Sequence, residues 1–186
     1  MSSSLTEAVV ARLRTVGAVP KEQDLYSGAG TDFYDRLVGS DRAEIREMLA
    51  LARGTEGPIL DVAAGSGRLT VPLVRSGKRV TAIDLSDDML SRLRRTLPDH
   101  AMLECVVADM RDFSLPQQFG LVIIGATSIT LLDRVGRSLL YATVRRHLTA
   151  HGVFAFTVAG NASAESFSVS TCLLYTSPSP RDLSTS

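Results

Sequence analysis

The 186-residue sequence has few cysteines, no excess of either charge and no long apolar run. Its two cysteines, Cys105 and Cys172, are too few for a disulfide framework, which favours a reduced, cytoplasmic protein. Lysine plus arginine number 20 and aspartate plus glutamate number 20, a balance that argues against electrostatic capture of nucleic acid or an anionic membrane. No apolar stretch approaches the roughly 20 residues of a membrane span, and the first residues do not start a signal peptide. We therefore expect neither nucleic acid nor membrane among its partners.

The composition of the sequence is that of an ordinary globular domain. Hydrophobic residues make up 45% of the sequence and charged residues 22%, which excludes a chain disordered throughout and a fibrous repeat. The length is sufficient for one domain with a sizeable core.

From residue 55 onward, short apolar runs alternate with helical patterns. The apolar runs are 58–62, 80–84, 102–107, 119–124 and 152–158. The helical patterns between them cover 68–76, 86–96 and 133–148, and Ser86 is the expected N-cap of the second. This alternation predicts an α/β fold with a doubly wound, mostly parallel sheet.

Residues 1–54 are predicted to form a helical cap that precedes the sheet. A short amphipathic helix covers 5–16, and a second helix begins near Ser40 or Asp41 and reaches Arg53. Its expected buried positions are Ile45, Met48, Leu49 and Ala52.

The segment 172–182 reads Cys-Leu-Leu-Tyr-Thr-Ser-Pro-Ser-Pro-Arg-Asp and resembles the translation of a sequencing-library adapter built on a transposase end. The alternative is a natural Ser/Pro-rich tail. We expect 172–186 to be non-native, which leaves 55–171 as an incomplete domain with five strands and without the last strands of its fold.

The turn after the first predicted strand carries Asp61, Ala63, Gly65 and Gly67. In an open α/β sheet this turn lies at the carboxyl edge, where ligands bind, and its glycines let the backbone approach a ligand closely. A nicotinamide fingerprint would need a third glycine where Thr70 stands, and the Gly-Lys-Ser/Thr of an ATP loop is absent. The turn therefore predicts a ligand that carries no phosphates.

Three acids stand at three consecutive strand ends. Asp61 ends the first strand, Asp84 ends the second and Asp109 follows the third. Doubly wound sheets that bind nucleotides place an acid on the ribose hydroxyls at the second position. Taken alone, Asp84 could equally be a helix-capping or solvated acid, but the three acids together with the glycine turn predict a nucleoside site.

This constellation resembles the class I S-adenosylmethionine-dependent methyltransferases, whose fold is Rossmann-like. The first motif of that family matches at Asp61, Gly65 and Gly67, with Ala63 in place of its first glycine. The resemblance implies S-adenosylmethionine as cofactor. The residues that it places at the cofactor are Tyr26, Tyr34, Asp61, Ala63, Gly65, Gly67, Asp84, Leu85, Asp109, Met110 and Ala126.

The resemblance also implies individual roles. Asp84 would bind the ribose, Leu85, Asp109 and Met110 would border the adenine, and Ala126 would lie near the transferred methyl group. Tyr26 and Tyr34 resemble tyrosines that close over the cofactor in small-molecule methyltransferases, although helix packing would explain them equally well.

The implied function is direct in-line methyl transfer to a nitrogen or oxygen of a small molecule or peptide. A weaker similarity, in 28–34 and 125–128, is to peptide methyltransferases of the daptide type. No metal site is expected, and none of His100, His147 and His151 can be named as a base; the last two are expected to be structural. The alternative function is a non-catalytic nucleotide- or cofactor-binding module.

Overall fold

The computed structural model describes residues 7–18, 30–31, 42–159 and 169–175. Tyr26 and Tyr34, both expected near the cofactor, lie outside these described residues. Within them, no helix is long and apolar enough to cross a membrane.

A six-stranded sheet forms the centre of the fold. Its strands are β1 (Ile59–Val62), β2 (Val80–Asp84), β3 (Leu103–Val107), β4 (Phe119–Ile124), β5 (Leu148–Ala159) and β6 (Val169–Tyr175). The order across the sheet is β3-β2-β1-β4-β5-β6, with the first five strands parallel and β6 antiparallel to β5. The mostly parallel, doubly wound sheet predicted from the sequence is thereby confirmed.

Helices flank the sheet, and the two core clusters place helices on both of its faces. They are α1 (Glu7–Thr15), α2 (Arg42–Arg53), α3 (Thr70–Arg75), α4 (Asp87–Thr96) and α5 (Arg134–His147), with a 3-10 turn at Ser128–Leu131. The Ser86 hydroxyl accepts the Met89 N–H at 3.3 Å, as expected of the N-cap of α4.

The core consists of two apolar clusters, one on each face of the sheet. Strand β1 is buried along its whole length. Because successive side chains of a strand point to opposite faces of the sheet, they enter opposite clusters. Ile59 packs with residues of α2, α3 and α4, whereas Leu60 packs with residues of α5. Because β1 lies between β2 and β4, the strand order reverses there, and the loops after these strands meet at one carboxyl edge.

His147 closes the second cluster and has both ring nitrogens engaged. The Leu115 N–H donates to Nε2 at 3.0 Å, and Nδ1 lies 2.8 Å from the Thr143 carbonyl oxygen. An amide only donates and a carbonyl only accepts, so Nδ1 carries the proton. This geometry agrees with the structural role that the sequence suggested.

The edge of the sheet beyond β5 differs from the five-strand prediction. Strand β5 begins at Leu148, four residues before the predicted run, and β6 pairs with it from Val153↔Tyr175 to Ala159↔Val169. The structure adds one strand to the five predicted from the sequence, and only the first three residues of that strand, Val169–Thr171, lie within 161–171. The rest of β6 belongs to the adapter-like segment, and an open sheet edge accepts any β-prone segment that reaches it.

Candidate functional site

The loop after β1 brings its backbone close to α4 at Gly67. This residue has a φ of +95°, and a Cβ added to it would lie 2.4 Å from Leu93 Cδ1. Leu93 is fully buried, so it has little room to yield. Glycine is required here by the packing of the loop as well as by its backbone conformation.

We expect Gly67→Ala to destabilise the fold by about 2 kcal/mol, because it combines an unfavourable φ with a steric clash in the core. Urea unfolding of the variant measures this loss directly. Equal stability of the variant and the native chain would contradict the packing described for Leu93.

Asp84 connects the glycine-rich loop to the start of α4. Its Oδ2 accepts the Gly65 N–H at 2.8 Å, and its Oδ1 accepts the Ser86 N–H at 2.8 Å. A carboxylate offers about four acceptor positions, so each oxygen retains capacity for a further donor. The helix-capping alternative and the ligand-binding role of this residue are thus compatible.

Asp109 is held by its neighbour Arg111. The guanidinium spans both carboxylate oxygens, with Nε at 3.0 Å from each and Nη2 at 2.5 Å from Oδ2. Together with the Arg111 N–H, these hydrogen bonds hold the pKa of Asp109 below its usual range. Asp109 therefore stays a carboxylate, with Arg111 as a fixed neighbour at the same cleft.

A cleft of about 620 Å³ opens between these groups. Of the residues predicted at the cofactor, six line it: Ala63, Gly65, Asp84, Leu85, Asp109 and Met110. Leu85 and Leu131 are 72% and 63% exposed and supply apolar surface at this cleft. The carboxylates at its wall are Asp84, Asp87, Asp88 and Asp109, which together outweigh the single guanidinium of Arg111.

A second cavity of about 990 Å³ lies on the α2 side of the same loop. Asp61, Gly67 and Ala126 line this cavity rather than the cleft, whereas Ala63 and Gly65 line both. The structure therefore does not gather all of the predicted residues around one space. It distributes them on two sides of the glycine-rich loop.

Asp61 is buried beneath this loop. Its Oδ2 accepts the Thr70 hydroxyl at 2.6 Å, which ties the end of β1 to the first turn of α3. Burial raises the pKa of Asp61 to about 7, with smaller opposing effects of the Thr70 hydrogen bond and the Arg68 charge. Asp61 therefore fixes the glycine-rich loop through Thr70.

The turn after β4 contains two successive non-glycine residues in the left-handed region, Ala126 (φ 52°) and Thr127 (φ 58°). The Ala126 N–H donates to Glu44 Oε1 at 2.9 Å. Sequence reasoning missed Glu44, which reaches the site from α2. Its spacing from Met48 and Ala52, four and eight residues on, places it on the buried face of that helix and could have identified it.

Among the described residues, no group of three or more His, Cys, Asp or Glu side chains could hold a metal ion. At the cleft, Asp84 accepts backbone N–H groups, and Asp87 and Asp109 are paired with arginines.

Comparisons with known proteins agree with this geometry. A family described as a methyltransferase domain matches residues 59–152. The dTDP-3-amino-3,6-dideoxy-alpha-D-glucopyranose N,N-dimethyltransferase of Streptomyces fradiae is 35% identical over 138 residues, which are 69% of this chain and 52% of that protein. An rRNA adenine N-6-methyltransferase of Corynebacterium diphtheriae is 31% identical over 98 residues, covering 53% of this chain and 38% of the relative.

Among solved structures, the glycopeptide N-methyltransferase MtfA in complex with S-adenosyl-L-homocysteine is similar with a TM-score of 0.67 and 31% identity. The match covers 95% of this chain and 72% of that one. The chain spans about half the length of the curated relatives that it matches. On the sheet order, the glycine-rich loop and these matches, the chain belongs to the methyltransferase-domain family and has the fold of the class I S-adenosylmethionine-dependent methyltransferases.

Proposed function

We propose that this chain binds S-adenosylmethionine in the 620 Å³ cleft and takes part in direct methyl transfer to a nitrogen or oxygen atom of a small molecule or peptide. The observation that carries the proposal is the convergence of Gly65, Asp84 and Leu85 on this cleft at the carboxyl edge of the sheet. S-adenosylmethionine supplies an electrophilic methyl group whose transfer depends mainly on positioning.

The cleft fits an adenosine group. An added Cβ at Gly65 would meet no protein atom within 4 Å, so the loop leaves open space where a ligand can approach its backbone. Asp84 retains acceptor capacity on both oxygens for ribose hydroxyls, and the exposed Leu85 provides apolar surface for a flat base.

The charge of the cleft favours this ligand over a phosphorylated nucleotide. Its carboxylates outnumber its single guanidinium, so a diphosphate or triphosphate would be repelled. A neutral adenosine joined to a cationic sulfonium suits such a surface.

The nature of the acceptor rests on the relatives. The Streptomyces fradiae protein and MtfA are N-methyltransferases by name, and we propose an amine as the acceptor of this chain as well. The similarity to an rRNA adenine N-6-methyltransferase makes RNA a second candidate acceptor. The balanced charge of the chain favours the small amine, because RNA binding ordinarily needs a basic surface.

The residues of this chain then have distinct tasks. The buried Asp61 and Thr70 fix the glycine-rich loop, and Asp84 holds the Gly65 N–H and keeps that loop against α4. An amine acceptor must lose its proton before attack, because only the neutral amine has the lone pair that takes the methyl group.

We further propose that 55–171 form the cofactor-binding part, that 1–54 cap it, that 172–186 are non-native and that the protein is cytoplasmic. Sequencing the gene beyond Thr171 at its genomic source tests the tail. A genomic reading frame that continues through 172–182 unchanged would overturn the adapter interpretation.

Replacement of Asp84 should weaken the binding of S-adenosylhomocysteine. Removing a charged acceptor from ribose hydroxyls costs about 1–3 kcal/mol, so Asp84→Ala is expected to lower affinity about 5- to 150-fold. Isothermal calorimetry gives the dissociation constant. Asp87→Asn is the matched control, since this carboxylate borders the same cleft with its side chain 68% exposed, and it should change affinity less than about twofold.

Asp84 also holds two backbone N–H groups, so the ribose contact needs its own test. The native chain should bind S-adenosylhomocysteine less tightly when the ligand lacks the ribose 2′-hydroxyl. The Asp84→Ala variant should bind the two forms of the ligand with equal affinity. An equal loss in both proteins would show that Asp84 acts on the loop alone.

A methyl-transfer assay separates the enzyme from a non-catalytic binding module. The full-length gene product is incubated with S-adenosylmethionine and, in separate reactions, the aminosugar nucleotide named for the Streptomyces fradiae relative, a peptide with a free N-terminus, and rRNA. We expect mass spectrometry to show one or two added methyl groups on an amine. Tight cofactor binding with transfer to none of these acceptors would favour the binding module.

A further inference from the structure

Glu44 lies in α2, far in sequence from the strand ends, but its carboxylate is buried at the carboxyl edge with 4% of the residue exposed. Oε1 accepts the Ala126 N–H at 2.9 Å and the Thr157 hydroxyl at 2.7 Å, and Oε2 accepts the Arg68 guanidinium. These partners belong to the turn after β4, to β5 and to the loop after β1. One carboxylate therefore joins three segments of the site to the helix that precedes the sheet.

The turn that Glu44 holds has an uncommon conformation. Ala126 and Thr127 are both left-handed, which side chains with a Cβ rarely adopt singly and more rarely in succession. The Thr127 N–H donates to the Thr157 hydroxyl at 3.2 Å, and that hydroxyl donates in turn to Glu44. The Ala126 amide thus binds the Glu44 carboxylate directly, and the Thr127 amide is linked to it through the Thr157 hydroxyl. Hydrogen bonds to a charged group are strong enough to offset the backbone strain of the turn.

The same turn stands between the two spaces of the site. Ala126 lines the 990 Å³ cavity, and Ser128 lines the 620 Å³ cleft. Ala63 and Gly65 line both, so a ligand whose adenosine fills the cleft extends across Gly65 toward Ala126. The non-nucleoside end of the ligand, which carries the reactive atom, then meets the turn that Glu44 fixes.

We propose that Glu44 is a positioning residue for methyl transfer, which acts through the Ala126–Thr127 turn and through Thr157 without touching the cofactor. The inference rests on the proposed function, because it assumes that the cleft takes the adenosine of S-adenosylmethionine. It assigns a task in the reaction to a helix outside the cofactor-binding sheet.

Thr157 provides the test that best preserves the fold. Thr157→Val keeps the shape of the side chain and removes the hydroxyl between Thr127 and Glu44, whereas Thr157→Ser keeps the hydroxyl and is the matched control. The readout is the ratio of the dissociation constants of S-adenosylmethionine and S-adenosylhomocysteine, which differ by the transferred methyl group and by the positive charge on the sulfur. We expect Thr157→Val and Glu44→Gln to change this ratio at least about fivefold, and Thr157→Ser to leave it within about twofold of the native value.

A merely structural role would lower the unfolding temperature and weaken both ligands equally, which leaves the ratio unchanged. A native ratio in Thr157→Val therefore overturns the assignment of Glu44, even where affinity itself falls. If the native chain binds neither ligand, the proposed function fails and the inference fails with it. Native binding together with an unchanged ratio in the variants overturns the inference alone.

Discussion

Asp61→Asn is expected to become more stable relative to the native chain as the pH rises from about 4 to about 7. In the fold, burial raises the pKa of Asp61 from 3.8 to about 7. The folded chain therefore keeps a proton that the unfolded chain has already released, and folding stability falls with rising pH across this window. The difference between a pKa of 3.8 and one of about 7 corresponds to about 4 kcal/mol of folding stability. The native chain loses this stability as the pH rises, whereas the asparagine variant does not, because its amide does not ionise.

The measurement is urea unfolding at several pH values for both proteins. Only the change of their stability difference with pH is informative, because the asparagine amide also alters the buried hydrogen bonds at every pH. Asp112→Asn, whose side chain is 92% exposed, is the control for loss of one carboxylate and should show no such trend. A stability difference between Asp61→Asn and the native chain that stays constant from pH 4 to pH 8 would mean that Asp61 is ionised in the fold throughout this range.

Gly65→Ala should abolish most cofactor binding while costing little stability. The added Cβ has no protein neighbour within 4 Å, but in the proposed binding mode it projects where the ligand passes the loop backbone. The positive φ of 57° adds about 1 kcal/mol of strain. We expect at least about 100-fold weaker binding of S-adenosylhomocysteine by calorimetry, or about 3 kcal/mol.

Gly77→Ala is the matched control for this change. Gly77 has a φ of +85° and also has no atom within 4 Å of an added Cβ, but it lies in the turn after α3 and lines neither of the two spaces. Its alanine variant should lose similar stability and retain native affinity. Equal affinities of the two variants would show that the loop backbone at Gly65 does not face the ligand.

The strands were predictable because each is a short apolar run and because the runs alternate with helical patterns along the chain. The predicted bounds of β2 and β4 are those of the structure, and β1 and β3 differ by one residue. Buried parallel strands are continuous apolar runs, whereas the helices between them have apolar residues spaced three and four positions apart. The two patterns are easily distinguished. The predicted run for β5, 152–158, begins four residues late, because the first residues of this strand directly follow α5 without a turn residue.

The residues at the strand ends were predictable as site residues, but their distribution between two spaces was not. Placement of Asp84, Leu85 and Asp109 at one cleft follows from parallel strands ending at the same edge. The sequence could not reveal that the loop divides the site, which sends Asp61 and Ala126 to the second cavity. The Arg111 clamp on Asp109 was missed as well, because a pair two residues apart carries no periodic signal.

Glu44 illustrates the limit of reading by local pattern. A glutamate in an amphipathic helix is ordinarily a solvated residue, and its partners lie 82 and 113 residues further along the chain at Ala126 and Thr157. Only the tertiary fold brings such groups together. A buried polar side chain at core spacing is nevertheless a signal that can be looked for in other sequences.

A crystal structure of the chain soaked with S-adenosylhomocysteine tests the central claim most directly. We expect the adenosine in the cleft beside Leu85, with ribose hydroxyls at hydrogen-bonding distance, about 2.6–3.0 Å, from the Asp84 carboxylate. We also expect the homocysteine end to extend across Gly65 toward Ala126. Density for the adenosine in the 990 Å³ cavity on the α2 side of the loop, with the cleft filled by water, would contradict this assignment.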